Sequence, residues 1–372
     1  MRVSAVLMRG GTSKCWVFDT RDLDAVGGDR DRLLLRLYGS PDPRQVDGVG
    51  GATSTTSKAV LLAPSATPDA DVDYTFAQVG IAEERVDWSN NCGNCSAVVG
   101  LYALQQGWVR PAGETTRVVV RNTNTGKTIL QDVPTPGGAP TNEGDLVIEG
   151  VPFPSPGVDL GFTRPAGAVT GALLPTGRPL DRLDTSEGQV RASLVDAANP
   201  TALLWGPDLG LAGDETPAQV DGDPRLLEVL GEARAHASVL MGIAPSAADA
   251  DRVSRAIPKL AWTAPSAAGD QGIQGRMLSM GRTHPALAVT VSVAFAAASV
   301  TGGTVVPSPA DGGPLRIATP SGTVTVRAEL DHAGGLETAY VTRNARRLAT
   351  AELELPGAGP RLCSPRAHSA PR

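Results

Sequence analysis

Residues 92–107 read CGNCSAVVGLYALQQG, and a helix drawn through them carries apolar side chains on every face. Such a helix offers no face to water, so it must be buried on all sides. Residues 284–303, HPALAVTVSVAFAAASVTGG, have the same character, and a leading proline and two closing glycines favour a second buried helix. Its β-branched residues leave a strand interpretation open. The sequence therefore predicts one central helix in each half of the chain.

Short stretches that alternate apolar and polar residues surround both segments, and turns such as TNTGK (123–127) separate them. Glycine (43) and proline (30) are frequent among the 372 residues and aromatic residues make up only 4%, which favours a strand-rich chain. The simplest geometry places each central helix inside a curled sheet. We therefore predict an α+β fold of two similar domains, each a mostly antiparallel, barrel-like sheet around one helix.

The length suits about two domains at ~150 residues each. We predict a first domain at residues 1–185, a second at 186–356 and a disordered tail at 357–372. The stretch DLVIEGVPF (145–153) is interpreted as a strand, and the segment at 155–184, rich in proline and glycine, as a crossing between the domains. The duplication is inferred from the order of elements alone, since the sequence shows no internal repeat.

Charge and apolar patterning exclude several classes of function. The net charge of −6 and the lack of a basic stretch argue against a nucleic-acid partner. Arg9 and Lys14 interrupt the only apolar start, and no apolar run reaches the ~18 residues of a membrane helix. The four cysteines resemble no disulfide framework. We expect a soluble cytoplasmic protein, and exposed strand edges would be compatible with a homodimer.

Cys92 and Cys95 form a Cys-x-x-Cys pair at the start of the first apolar segment. Zinc would need about four ligands, and a redox pair usually lies in a βαβ unit; neither context is evident nearby. Cys95 falls on the first helical turn, where a buried structural role is expected. At Cys92 the free N–H groups and the helix dipole would favour a thiolate or a bound carboxylate, and Gly93 would let a ligand approach the backbone.

Lysine is rare in this chain, and every other basic residue apart from histidine is arginine. The four lysines are Lys14, Lys58, Lys127 and Lys259. Because arginine cannot release its proton near neutrality, the remaining lysines are candidates for proton transfer. Lys58 enters an apolar strand directly after GGATSTTS (50–57), whose hydroxyls, including Ser57, could line an anion pocket; the pattern is not a phosphate-binding P-loop. We expect Lys58 to be partly desolvated and to act as a general base.

Several motifs, in order over nearly the whole chain to about residue 356, resemble the PrpF family. They are MRGGTSKCWVF (8–18), GGATSTTSKAV (50–60), NNCGNCSAVVGLYAL (90–104), LLPTG (173–177), DAANPTALL (196–204), MGIA (241–244), IPKLAWTAP (257–265) and RMLSMGRTHPALAVT (276–290). That family holds 2-methylaconitate cis–trans isomerases, 4-oxalomesaconate tautomerases and 3-methylitaconate Δ-isomerases. The resemblance implies a diaminopimelate-epimerase-like fold, an active site in the cleft between the domains, and no metal or organic cofactor.

The resemblance also implies that Lys58 and Cys92 are the catalytic pair. Residues implied to face the carboxylates of the substrate are Thr12, Ser13, Asn91, Asn94, Asn199, Ser279, Met280 and His284. Two positions depart from the family pattern. Cys15 stands where glycine usually follows GTSK and would add a side chain near the cleft. Thr319 stands where the histidine of an HPSG motif is expected, so residues 319–322 read TPSG.

We therefore expect a cofactor-independent isomerase of a small unsaturated di- or tricarboxylate. One of Lys58 and Cys92 would remove a proton from a carbon next to a carboxylate or ketone, and the sequence does not decide which. An epimerase with thiols on both sides of the cleft would need a second-half cysteine, and the only one is Cys363 in the tail. The non-enzymatic alternative is a carboxylate-binding or thiol redox module, in which Cys95 would matter as much as Cys92.

Overall fold

A computed structural model describes residues 2–88, 91–148, 150–254, 257–266, 272–279, 281–284 and 286–355. The strands are β1 (Arg2–Gly10), β2 (Ser13–Asp19), β3 (Lys58–Pro64), β4 (Val72–Val79), β5 (Val86–Asp87), β6 (Thr115–Asn122), β7 (Thr128–Pro134), β8 (Gly157–Thr163), β9 (Asp181–Thr185), β10 (Gly188–Ala197), β11 (Asn199–Trp205), β12 (Lys259–Pro265), β13 (Ile273–Ser279), β14 (Arg282–Thr283), β15 (Leu315–Thr319), β16 (Gly322–Leu330) and β17 (Leu336–Glu354). The α-helices are α1 (Thr20–Val26), α2 (Arg30–Tyr38), α3 (Gly93–Ser96), α4 (Val98–Gln105), α5 (Pro217–Asp221), α6 (Pro224–Leu240), α7 (Ala250–Val253) and α8 (Val289–Val300).

Seven strands of the first half and the C-terminal strand β17 close into a ring around α4. The order of hydrogen-bonded neighbours is β1, β2, β3, β4, β6, β7, β8, β17 and back to β1. Only the β2–β3 and β4–β6 pairs are parallel. Every residue of α4 except its last is buried, as the uniformly apolar sequence requires.

The second half repeats this order around α8. Its strands follow as β10, β11, β12, β13, β15, β16, β17 and β8, and the bridge between Ala166 and Ala197 completes the circuit. The parallel pairs, β11–β12 and β13–β15, recur at the same steps of the order. The α+β fold of two similar curled sheets, each around a central helix, is thereby confirmed. The domain boundary expected at residue 185 stays a prediction.

Further helices cover the outer faces of the two rings. The side chains of α2 pack with the outward residues of β2 and β3, and those of α6 pack with β10, β11 and β12. Each ring therefore has an inner core around its central helix and an outer core beneath its covering helices. Within the described residues, no helix has both the length and the apolar character needed to cross a bilayer.

Two stretches differ from the sequence-based expectation. The segment expected to cross between domains contains β8, which pairs with both β7 and β17. The strand is hard to recognise in the sequence because glycine is typical of turns. Gly161 lies opposite Tyr340, and a Cβ on Gly161 would come within 2.6 Å of the Tyr340 ring. Conversely, the described residues of the strand expected at 145–153 form a single isolated bridge, between Leu146 and Ser155.

A buried amide interrupts the first central helix between α3 and α4. The Nε2 group of Gln131, on β7, donates to the carbonyl of Ser96 (2.8 Å), and its Oε1 accepts from the N–H of Gly100 (2.8 Å). In an uninterrupted α-helix these two backbone groups would bond to each other. Insertion of a side chain into the helical ladder is a known cause of a bend. The orientation of α3, which follows Cys92, is therefore set by β7.

Replacing Gln131 with leucine should lower the free energy of unfolding by about 1–3 kcal/mol, because two buried backbone groups lose their partners. Chemical denaturation measures this change. Gln189→Leu, at an exposed amide of β10, is the matched control and should have little effect. Equal losses in the two variants would contradict a special role for the inserted amide.

Candidate active site

A cavity of about 270 Å³ lies where the two rings meet. The first half contributes Thr12 and residues 91–94, and the second half contributes His284, residues 286–290 and the β15–β16 turn with Thr319. The shared strand β17 contributes Thr342 and Arg343. Among the described lining residues there is no carboxylate, so the polar lining is neutral or basic. Such a cavity suits an anionic ligand.

The two central helices begin in contact with each other beside this cavity. A Cβ on Gly93 would lie 2.4 Å from a methyl carbon of Val289, the first residue of α8. The space beside Gly93 is thus filled by a side chain, so the glycine also allows the two helix starts to touch; the expected approach of a ligand to its backbone stays a prediction. Among the residues that the structure describes, no side chain caps the N–H groups at either helix start. Uncapped N–H groups at helix starts favour a bound carboxylate.

The turn between β1 and β2 is held against the first helix start. Asn94 Nδ2 donates to Thr12 Oγ1 (3.1 Å), and a Cβ on Gly10 would lie 2.1 Å from the carbonyl oxygen of Asn94. Only glycine permits this approach. The neighbouring Ser13 is buried at the start of β2 and is not part of the cavity lining.

Lys58 occupies the first position of β3 and is 9% exposed. Its Nζ donates to Gln78 Oε1 (2.7 Å) and lies 5.0 Å from the centroid of the Phe76 ring. Lys58 does not line the cavity itself, but its charge acts on the thiol of Cys92. The predicted catalytic pair is thus coupled electrostatically, with Cys92 at the cavity, and its catalytic role stays a prediction.

Ser57 lies outside the cavity. Its hydroxyl donates to the carbonyl of Val79 (2.9 Å) and accepts from Gln45 Nε2 (2.9 Å), so both roles of the hydroxyl are taken by the protein. The threonines before it bond to one another at the surface. The described residues of this loop do not form the expected anion pocket around Ser57.

Three free thiols lie in a row that begins with Cys92 in the cavity wall and continues behind it with Cys95 and Cys15. Cys92 is half-buried, whereas Cys95 and Cys15 are fully buried. A hydrogen bond with Cys95, together with burial, raises the pKa of Cys92 well above its usual range, and the opposing effect of Lys58 is smaller. Burial and a hydrogen bond with Cys15 raise the pKa of Cys95. These effects favour the thiol form of Cys92 over the thiolate expected at the helix start. Cys15 lies behind Cys95 rather than in the cleft.

Asn199 lies at a second cavity of about 390 Å³, beyond Asn91 and Thr290, which line both cavities. The β10–β11 turn that carries Asn199 corresponds, in the duplicated order of strands, to the turn that carries Thr12. The second cavity is thus the counterpart of the first. It contains the basic residues Lys127 and Arg164.

The remaining predicted residues come from the strand end and loop before α8. His284 lines the first cavity, and its Nδ1 is 3.1 Å from the N–H of Ala286. The helix begins at Val289, later than the proline-led start that was expected. Ser279 is the last residue of β13. Met280 lies outside the described residues.

Arg343 lines the cavity but is not among the residues predicted from the sequence. It is 7% exposed, and burial lowers its pKa to about 10. Ala339, Val341 and Ala345 share its inward face of β17 and belong to the inner cores of the two rings. An arginine at an inward position of an alternating strand was the available signal.

Comparisons with known proteins agree with this architecture. The model of the family described as PrpF protein matches residues 1–356. A 3-methylitaconate isomerase of Eubacterium barkeri is 38% identical, covering 94% of this chain and 96% of that protein. A 4-oxalomesaconate tautomerase of Pseudomonas putida is 39% identical, covering 93% and 94% of the two chains.

Solved structures extend the comparison to the fold. The crystal structure of a methylitaconate Δ-isomerase superposes with a TM-score of 0.85 at 37% identity, covering 95% of both chains. A probable proline racemase of Agrobacterium radiobacter has a TM-score of 0.52 at 14% identity, covering 96% of this chain and 94% of its own. The second likeness places the chain in the wider racemase and epimerase fold and carries no information about activity.

Gly93→Ala should lower the free energy of unfolding by about 1–3 kcal/mol, because the new methyl group overlaps Val289. Adding Val289→Ala should recover part of the loss, as measured by chemical denaturation. Gly231→Ala in α6, where a Cβ meets nothing within 4 Å, is the control and should stabilise slightly. Failure of the second substitution to recover stability would contradict the direct helix–helix contact.

Alkylation of Cys92 by iodoacetamide should require a higher pH than alkylation of a free cysteine. The reason is that the hydrogen bond with Cys95 and burial both raise the pKa of Cys92, and only the thiolate reacts. Cys95→Ala should move the profile to lower pH, and Cys15→Ala should move it less. Peptide mass spectrometry over a pH series gives the profiles. A wild-type pH profile equal to that of free cysteine would refute the raised pKa of Cys92.

Proposed function

This chain belongs to the PrpF family, and on that basis we propose that it is an isomerase that moves a proton, and with it a carbon–carbon double bond, in a small unsaturated di- or tricarboxylic acid. The observation that carries the proposal is the cavity between two uncapped helix starts, with Cys92 in its wall and the buried Lys58 acting on the pKa of that thiol. The named relatives support this class of substrate, since one acts on 3-methylitaconate and another on 4-oxalomesaconate, as their names state.

Binding would use the basic lining of the cavity. Backbone N–H groups at the start of α8 and the side chains of Thr12 and Asn94, which line the cavity, would hold carboxylates. The same N–H groups would stabilise the negative charge that develops on a carboxylate oxygen when a proton leaves the neighbouring carbon. That stabilisation makes an otherwise weak carbon acid reactive.

Proton transfer divides between two groups. In its uncharged form the amine of Lys58 would accept the proton, so a C–H bond breaks and an N–H bond forms, and the electron pair delocalises over the conjugated dienolate. The thiol of Cys92, which holds its proton near neutrality, donates it to a different carbon and leaves a thiolate. The thiolate forms close to the new ammonium group, and proton transfer between them restores both side chains.

No electrons are exchanged with an external acceptor in this scheme. A shift of the double bond gives an allylic isomer or a tautomer, and rotation in the dienolate before reprotonation gives a cis–trans isomer. We therefore propose a cofactor-independent reaction. The hydrogen-bonded thiols favour one second candidate, a redox or carboxylate-binding module built on Cys92 and Cys95.

Proton NMR in deuterium oxide tests the proposal with cis- and trans-aconitate, 2-methylaconitate, 3-methylitaconate and 4-oxalomesaconate. We expect deuterium uptake or movement of the double bond in at least one acid. Lys58→Ala, Lys58→Arg and Cys92→Ala should each lose about 10²- to 10⁴-fold in rate, because each removes an acid or base. The arginine variant keeps the charge but cannot release the proton.

Two further variants sharpen this test. Lys14→Ala, at a partly exposed position of β2, is the matched lysine control and should retain the rate. Cys95→Ala should remain active with an altered pH profile, whereas a redox module would lose its function with either cysteine. A folded wild-type protein that leaves every acid of the panel unchanged would refute the proposed isomerase.

A further inference from the structure

Arg343 is a buried cation without an acidic partner in the described part of the chain. The hydrogen bond found for its guanidinium runs from Nη1 to the adjacent carbonyl of Thr342 (2.9 Å). Burial alone lowers its pKa, and no carboxylate acts in the opposite direction. The acid on the paired strand, Asp159, accepts from Thr342 Oγ1 (2.6 Å) and occupies the opposite face of β8 from the buried Val158 and Leu160.

The place of Arg343 in the fold directs it to the cavity. On β17 its inward neighbours are Val341, in the core of the second ring, and Ala345, in the core of the first. Arg343 therefore lies at the point where β17 passes from one ring to the other. It lines the cavity together with hydroxyl-bearing residues that carry no charge, including Thr319, Thr325 and Thr342.

A buried guanidinium is unfavourable unless an anion and further hydrogen bonds compensate it. The uncapped start of α8 adds positive potential at the same cavity, so the protein itself increases the need for an anion there. A structural role for the charge would call for a carboxylate from the protein, as the exposed Arg117 has in Asp132. The compensating group at Arg343 has to come from the ligand.

We propose that Arg343 is a specificity-determining anchor that binds one substrate carboxylate, separate from the carboxylate held at the helix starts. Its planar guanidinium presents donors in the geometry that a carboxylate accepts in pairs. The cavity would then favour acids with two or three carboxylates over monocarboxylic acids. The inference rests on the proposed function for the identity of the ligand class, but its test does not require turnover.

Isothermal titration calorimetry with propane-1,2,3-tricarboxylate, a saturated acid that cannot shift a double bond, measures the anchor directly. The wild type should bind it, and Arg343→Met should bind about 10- to 100-fold more weakly. Arg343→Lys should lie between the two because it keeps the charge without the paired geometry. Arg347→Met, at an exposed position of the same strand, is the charge-matched control and should bind as the wild type does.

Thermal unfolding without ligand separates an anchor from a structural residue. Arg343→Met should melt at the wild-type temperature or above it, because the substitution removes an uncompensated buried charge. A lower melting temperature combined with wild-type affinity would overturn the proposal. So would the absence of saturable binding by the folded wild type, or equal weakening by Arg347→Met.

Kinetics distinguish failure of the anchor from failure of the proposed isomerase. With an acid that is turned over, Arg343→Met should lower kcat/KM mainly through a raised KM. Turnover with an unchanged KM would refute the anchor and leave the isomerase standing. Binding of the tricarboxylate that depends on Arg343, without turnover of any acid, would establish the anchor and refute the isomerase.

Discussion

The contact between Gly93 and Val289 is the constraint on which the rest of the structure depends. Each central helix is apolar on all sides, so it is stable only inside a ring of strands, whereas the free N–H groups at its start need a polar environment. The fold brings both starts to one place, and the absence of a side chain at Gly93 lets them touch. The cavity forms there because two helices with uncapped N–H groups meet at the junction of the rings.

Most buried polar groups in this protein find partners within it. Gln131 satisfies two backbone groups of the interrupted helix, and Ser57 has both a donor and an acceptor. Arg343 is different, because its described contacts include no acid. Where a protein pairs its buried groups elsewhere, an unpaired cation that lines a cavity marks the position of a ligand.

Much of this architecture could be predicted from local patterns. The all-apolar segments predicted α4 and α8, and alternation around TNTGK predicted the β6–β7 hairpin. The strand β8 was missed because Gly161 reads as a turn residue, whereas Tyr340 of the neighbouring strand fills its space. Local patterns cannot reveal such a contact, since it joins positions far apart in the chain.

In the candidate site, too, some features follow from local sequence patterns and others depend on contacts between distant residues. Cys92 and the asparagines beside it follow from the motif at a helix start, and the structure places them at the cavity. Neither the raised pKa of Cys92 nor the position of Cys15 behind Cys95 could be inferred, because both depend on packing between β2 and α3. The roles assigned to the predicted site residues stay predictions.

The 19-residue strand β17 has a further consequence. It pairs with β1 and β8 to close the first ring and with β16 in the second, so neither half of this duplicated chain is a complete module: a fragment that ends before β17 would expose open sheet edges, and the two copies have become mutually dependent parts of one folding unit.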